Sequence, residues 1–164
     1  MHSRHTSEVY EDNSRYLGEM QGDLRHGQGK LTFQDGRYYE GTWKLGRMEG
    51  YGVLYSRNGS VIYEGEWRNN RYEGDGIIHN QNWVDLLDNY LQREFSKDEG
   101  TWIRYEGEFN NDKWNGFGKL VLSNGDVIQG IFKLDKLHGK ASYNTNDGQV
   151  LAGEWLNNAL ARVF

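Results

Sequence analysis

Residues 63–76 read YEGEWRNNRYEGDG, and this stretch decides the fold. In Tyr63-Glu64-Gly65-Glu66-Trp67 the tyrosine, glycine and tryptophan alternate with glutamates. A period of two puts the first three on one face of a β-strand and the glutamates on the other. Arg68-Asn69-Asn70-Arg71 has turn composition, and glycine then alternates again at Gly74 and Gly76. The stretch reads as a β-hairpin.

Working outward, the same hairpin recurs every 23 to 24 residues, a period that marks a repeat architecture. With the tyrosine as position 1, the series is Tyr16, Tyr39, Tyr63 and Tyr105, continued by Ile128 and Leu151. Position 3 is glycine throughout: Gly18, Gly41, Gly65, Gly107, Gly130 and Gly153. Position 5 is Met20, Trp43, Trp67, Phe109, Phe132 and Trp155. Positions 12 and 14 are glycine pairs such as Gly27 and Gly29, ending in Gly139 and Ala141, and position 21 is Gly36, Gly59, Gly125 and Gly148. Units therefore begin near 16, 39, 63, 105, 128 and 151, the sixth being shorter.

Composition agrees with a thin, aromatic-rich sheet. Of 164 residues 22 are glycine and none is proline, where an average chain has about 7% and about 5%. Aromatic residues make up 14%, too many for a disordered chain, while a mean hydropathy of −0.91 leaves no thick apolar interior. Glycine weakens a strand unless another group must approach closely, so the recurring glycines are expected to be shallow slots for the aromatics. A lone hairpin is marginal in water, so the hairpins must lie side by side. The expected fold is all-β, an elongated antiparallel meander of stacked β-hairpins, about 50 Å long at roughly 4.8 Å per strand. Tyr39, Trp43, Tyr63, Trp67, Tyr105, Phe109, Phe132 and Trp155 are its stacking residues.

YEGTW at 39–43 and YEGEW at 63–67, each followed by a G-x-G, resemble the MORN (membrane occupation and recognition nexus) repeat, Y-x-G-x-W then G-x-G. The resemblance covers about residues 16–156 apart from an insertion. It departs at Met20, Ile128 and Leu151. It implies a MORN-repeat solenoid and a non-catalytic scaffold or adaptor in a cytoskeletal, especially ciliary or axonemal, assembly. It also implies an alternative, a phosphoinositide-binding or membrane-tethering module.

Three segments lie outside the pattern. Gly76 to Tyr105 spans 29 residues where Gly52 to Tyr63 spans 11, so an insertion occupies about 79–104. In it Trp83, Leu86, Leu87, Tyr90, Leu91 and Phe95 fall at helical spacing and predict one short helix. Its apolar face either packs on the sheet or docks a partner. At the other end, Leu160, Val163 and Phe164 belong to a last strand that is either a cap or an open edge. Trp83, Leu87, Tyr90, Leu91, Leu160, Val163 and Phe164 are thus the partner-binding candidates. Residues 1–15 are polar and unrepeated and are expected to be a flexible segment ahead of a single array over 16–164.

Charge and chemistry narrow the function. The net charge of −5 disfavours nucleic acid. With no cysteine there is no disulfide or thiolate chemistry, and the five histidines form no metal spacing, so neither metal nor cofactor is expected. Glutamates at positions 2 and 4 read as solvated charge, and no catalytic motif is found. One segregation stands out: position 9 is Arg47, Arg71, Lys113 and Lys136, beside an apolar position 10 of Met48, Tyr72, Trp114 and Leu137. This basic edge either meets acidic phospholipid or an acidic partner, or is solvated while position 10 folds inward. With no apolar leader and no run long enough for a transmembrane segment, the expected location is cytoplasmic, with other proteins as partners.

Overall fold

The computed structural model describes residues 4–81 and 101–164. Among them every element is a β-strand, and strands follow in the sheet in the order of the sequence. The chain divides into two compact units, Met1–Gly76 and Ile77–Phe164. The helix expected within 79–104 falls largely on residues outside those described. The insertion is narrower than expected, because His79 and Trp102 are already strand residues.

The first unit contains β1 (Arg4–Val9), β2 (Arg15–Gln21), β3 (Leu24–Thr32), β4 (Tyr38–Lys44), β5 (Arg47–Tyr55) and β6 (Val61–Arg68), and it ends within β7 (Arg71–His79). Residues 4–9, expected to be flexible, are instead strand β1, paired with β2 from Arg4↔Met20 to Val9↔Arg15. The reason is that the repeat register extends one strand further back. In the turn after β1 the Tyr10 N–H donates to the Ser14 carbonyl (2.9 Å), as the Phe33 N–H donates to Arg37 (2.8 Å) one unit later. Asn13 at φ 64° takes the place that Gly36 fills at φ 88°, and asparagine tolerates that left-handed conformation.

The core is an aromatic zipper. Trp43 stands edge-on to Tyr16 (5.6 Å between centroids) and Tyr39 (5.2 Å), and Trp67 edge-on to Tyr39 (5.1 Å) and Tyr63 (5.3 Å). Each tryptophan is thus held between its own unit's tyrosine and the preceding one, a favourable geometry for ring quadrupoles. The tyrosines occupy the glycine slots of their own hairpins. A Cβ on Gly41 or Gly52 would run into the Tyr39 ring, and one on Gly65 or Gly76 into Tyr63. Each phenol then donates to the position 4 carbonyl, Tyr16 to Glu19 (2.8 Å), Tyr39 to Thr42 (3.0 Å) and Tyr63 to Glu66 (2.8 Å). Burial pushes the Tyr16 hydroxyl up to about 12, against the opposing pull of Arg25, and raises Tyr39 as well.

The position 12 glycines are not slots. Pairing steps from Gly18↔Gly29 to Met20↔Arg25, so one residue faces three across a bulge. Gly27, inside it, has φ 68° and would place a Cβ against the Glu19 carboxylate. Glu19 accepts the Gln28 N–H there (2.9 Å), so this glutamate fastens the bulge rather than being mere solvated charge.

The second unit holds the end of β7, then β8 (Trp102–Asn110), β9 (Lys113–Leu122), β10 (Val127–Lys133), β11 (Lys136–Asn144), β12 (Val150–Leu156) and β13 (Ala159–Val163). It repeats the scheme with substitutions. Phe132 stands edge-on to Tyr105 (5.1 Å), which is also stacked on Trp114 (4.4 Å) and edge-on to Phe109 (5.3 Å). Burial raises the Tyr105 hydroxyl. Glu108 fastens the bulge at Gly116 (φ 122°) through the Phe117 N–H (2.8 Å). Ile128 replaces the tyrosine in the same hairpin in which Ala141 replaces the position 14 glycine, and both are buried. The shorter side chain leaves room for the methyl group. Asp126, also buried, is fully satisfied by the Tyr143 hydroxyl (2.6 Å), the Asn124 amide (2.8 Å) and the Asn146 N–H (2.9 Å).

Candidate interaction surface

The repeated residues are consumed by packing, so the surface that can act lies at the turns, on the outer face and at β13. The turn within each hairpin is two residues long, and in five hairpins both residues have positive φ: Leu45-Gly46, Asn69-Asn70, Asn111-Asp112, Leu134-Asp135 and Asn157-Asn158. That is the type I′ geometry that matches strand twist. The second turn residue reaches back to the preceding hairpin. The Asn70 side chain accepts the Met48 N–H (2.8 Å), Asp135 that of Trp114 (2.9 Å) and Asn158 that of Leu137 (2.7 Å). In return the N–H groups of Asn70, Asp135 and Asn158 donate to the Met48, Trp114 and Leu137 carbonyls, at 3.1, 3.0 and 3.0 Å.

This ladder decides the basic edge. Position 10 folds inward: Trp114 and Leu137 are buried, and Tyr72 stacks on Tyr63 (3.9 Å). No row of exposed aromatics accompanies the cations. Arg47 donates to Asn69 (2.7 Å) and Lys113 pairs with Asp135 (2.9 Å), so both are engaged within the protein. Arg71 and Lys136 are exposed. On the opposite edge, Asp12, Asp35 and Asp147 cap turns. Hydrogen bonds from the Ser14 hydroxyl, the Arg37 N–H and the Thr145 hydroxyl, respectively, hold their carboxyls below the usual range.

The eight stacking residues are all buried. Of the partner-binding candidates, Trp83, Leu87, Tyr90 and Leu91 lie outside the described residues. On β13, Leu160 is half-buried and Val163 exposed, and Phe164, just past the strand, is 62% exposed with the Lys140 ammonium 5.9 Å from its ring centre. His26 and His138 sit in separate bulges and share no site, and among the described residues no group of three or more acidic or histidine side chains could hold a metal ion.

Most of the exposed large apolar side chains, among them Leu17, Leu24, Leu45, Tyr51, Phe117, Ile131 and Leu134, were not legible as such in the sequence. Leu45 and Leu134 occupy the first turn position, where the other hairpins carry Gly22, Asn69, Asn111 and Asn157. For these two a signal was present, since a turn of this type favours glycine or asparagine at that place.

Comparison with solved structures finds similarity to the TCP domain of SAS-4 (dCPAP) in complex with a proline-rich motif of Ana2 (dSTIL) of Drosophila melanogaster. Identity is 12%, the match covers 93% of this chain and 77% of that chain, and the TM-score is 0.45. The family model described as MORN repeat matches residues 16–36, 39–61, 63–83, 105–127 and 129–150. These segments contain the tyrosine–glycine slots and the bulges described above, and together they make up more than half of the chain, which therefore belongs to the MORN repeat family.

Proposed function

We propose that the protein is a non-catalytic scaffold that binds other proteins within a cytoskeletal assembly, ciliary or axonemal in type. One observation carries the reading: the side chains that repeat are spent on packing and turn closure. Tyrosines fill glycine slots, tryptophans lock neighbouring hairpins, glutamates fasten bulges and Asn or Asp residues join turns. What such an array offers is a largely polar strand surface with exposed apolar side chains, Tyr51, Phe117 and the turn leucines among them. Membership of the MORN repeat family supports a repeat module for protein interaction. The cytoskeletal setting follows from the family resemblance alone, and a cytoplasmic location from the sequence pattern alone.

The test is crosslinking mass spectrometry on the tagged full chain in cells, paired with detergent extraction. The scaffold reading expects stoichiometric crosslinks to a small set of proteins and retention in the cytoskeletal pellet. Crosslinks only within the chain, together with sedimentation on phosphoinositide vesicles, would contradict it and favour a lipid-binding module. Crosslinked partners in a wholly detergent-soluble fraction would leave the scaffold and remove the cytoskeleton.

A further inference from the structure

Three unfavourable features coincide at two hairpin tips. At Lys44-Leu45-Gly46-Arg47 and Lys133-Leu134-Asp135-Lys136 the leucines have φ 48° and 50°. That left-handed conformation crowds a Cβ against its own carbonyl, and a leucine has no polar atom with which to compensate locally. The same leucines are 56% and 61% exposed, so little burial offsets the strain. The residues on either side are cations paired directly across the strands, Lys44 with Arg47 and Lys133 with Lys136, and like charges facing each other destabilise a sheet. Asn69-Asn70, Asn111-Asp112 and Asn157-Asn158 close equivalent hairpins without a leucine in that conformation, so the fold has no need of it. Strain that the fold does not require is a pointer to function.

We propose that each of these two tips is by itself a contact point for an acidic protein segment bearing an apolar side chain, an inference that rests on the scaffold reading above. The leucine supplies the apolar contact and the flanking cations select carboxylates. At the second tip the Asp135 carboxylate does not oppose this, because it is turned inward onto the Trp114 N–H and Lys113. Lys44, Lys133 and Lys136 make no ion pair among the described residues, so their charge is available. A protein is favoured over an anionic bilayer. Each tip offers one leucine and two cations, a small wedge for an interface that rewards large apolar area, and the chain as a whole is negative.

The experiment selects binders of the immobilised full chain from a random peptide display library and measures the enriched peptide by fluorescence polarisation. Comparison is with the Leu45→Asn/Leu134→Asn double variant and with Lys44→Glu/Lys133→Glu. Vesicles of phosphatidylserine and phosphatidylcholine are tested in parallel. The proposal expects peptides rich in Asp and Glu with at least one large apolar residue. It also expects at least tenfold weaker binding to both variants, at a melting temperature unchanged or raised by the asparagines. Peptides indifferent to the variants would overturn this inference while leaving the scaffold reading intact. A lowered melting temperature in the asparagine variant would make the leucines structural and overturn it too. So would vesicle binding that needs the leucines while acidic peptides fail to bind, since the partner would then be a membrane. An empty selection also overturns it, and the crosslinking experiment then decides the scaffold reading separately.

Discussion

The indole Nε1 of Trp67 donates to the carbonyl oxygen of Gly52 at 3.0 Å, from one repeat to the position 14 glycine of the repeat before. Trp43 makes the same bond to Gly29 at 3.1 Å. These bonds fix the register of neighbouring hairpins as well as burying a large ring. Replacing Trp67 by alanine is expected to cost about 3–5 kcal/mol. Phenylalanine keeps most of the edge-on contact but loses the bond to the Gly52 carbonyl, at about 0.5–1.5 kcal/mol. Urea denaturation of both variants measures the difference, and a phenylalanine variant as stable as wild type would show that the bond contributes nothing.

The glycines separate into kinds that behave differently on substitution. Gly52→Ala drives a methyl into the Tyr39 ring and is expected to destabilise by about 1–3 kcal/mol or more. Gly22 has φ 62° and open space around its Cβ position. Gly22→Asn should therefore stay within about 0.5 kcal/mol of wild type. Thermal melts of the two variants check the ordering.

Much of this was legible in the sequence, and the limits have physical causes. Period-two alternation in Tyr63-Glu64-Gly65-Glu66-Trp67 reports which face is buried, because burial acts on single strands. The identity of the slot glycines was not legible. Positions 3, 12 and 14 look alike as letters, yet only the pairing register shows that Gly29 lies under Tyr16 while Gly27 sits in a bulge against Glu19. The same holds for Glu19 and Glu108, whose carboxylates serve a backbone N–H nine residues away. Strand β1 was missed because Asn13 stands where the other turns of that kind carry glycine. The basic row at position 9 was visible, but the hydrogen bond of Arg47 to Asn69 and the ion pair of Lys113 with Asp135 depend on contacts about 22 residues apart in the chain.

The turn ladder gives a third expectation. Asp135→Ala removes the acceptor for the Trp114 N–H and the partner of Lys113, and should destabilise by about 1–3 kcal/mol. Asp135→Asn retains an acceptor oxygen like those of Asn70 and Asn158, so its cost should be well under half as large. Chemical denaturation of the pair is the measurement, and an equal loss in both would make the Lys113 charge, not the backbone cap, the important contact.

Buried tyrosines predict an alkaline limit. The Tyr16 hydroxyl rises from an ordinary 10.0 to about 12, and Tyr39 and Tyr105 are also raised, in each case chiefly by burial. A raised value in the folded state means that the neutral phenol is favoured there, so this stabilisation is complete below pH 10 and is lost as pH climbs through the folded-state values. Stability followed by urea at fixed pH steps should be level on this account up to about pH 10 and then fall. Phenolate absorbance should lag behind that of the unfolded chain. Simultaneous ionisation of all tyrosines near pH 10 with no loss of stability would be inconsistent with the buried zipper.

The matching of tyrosine to glycine slot is tested most directly where the chain itself departs from it, at Ile128 and Ala141. The measurement is a double-mutant cycle by urea denaturation on wild type, Ile128→Tyr, Ala141→Gly and the double variant. Ile128→Tyr alone should destabilise by about 1–3 kcal/mol, because the ring meets the Ala141 methyl. Ala141→Gly alone should cost about 1 kcal/mol through backbone freedom and lost packing. Together they rebuild the slot of Tyr39, Gly41 and Gly52, and the double variant should recover at least about 1 kcal/mol relative to the sum of the single losses. Losses that simply add, with no coupling between the two positions, would contradict the slot as the organising contact of the fold.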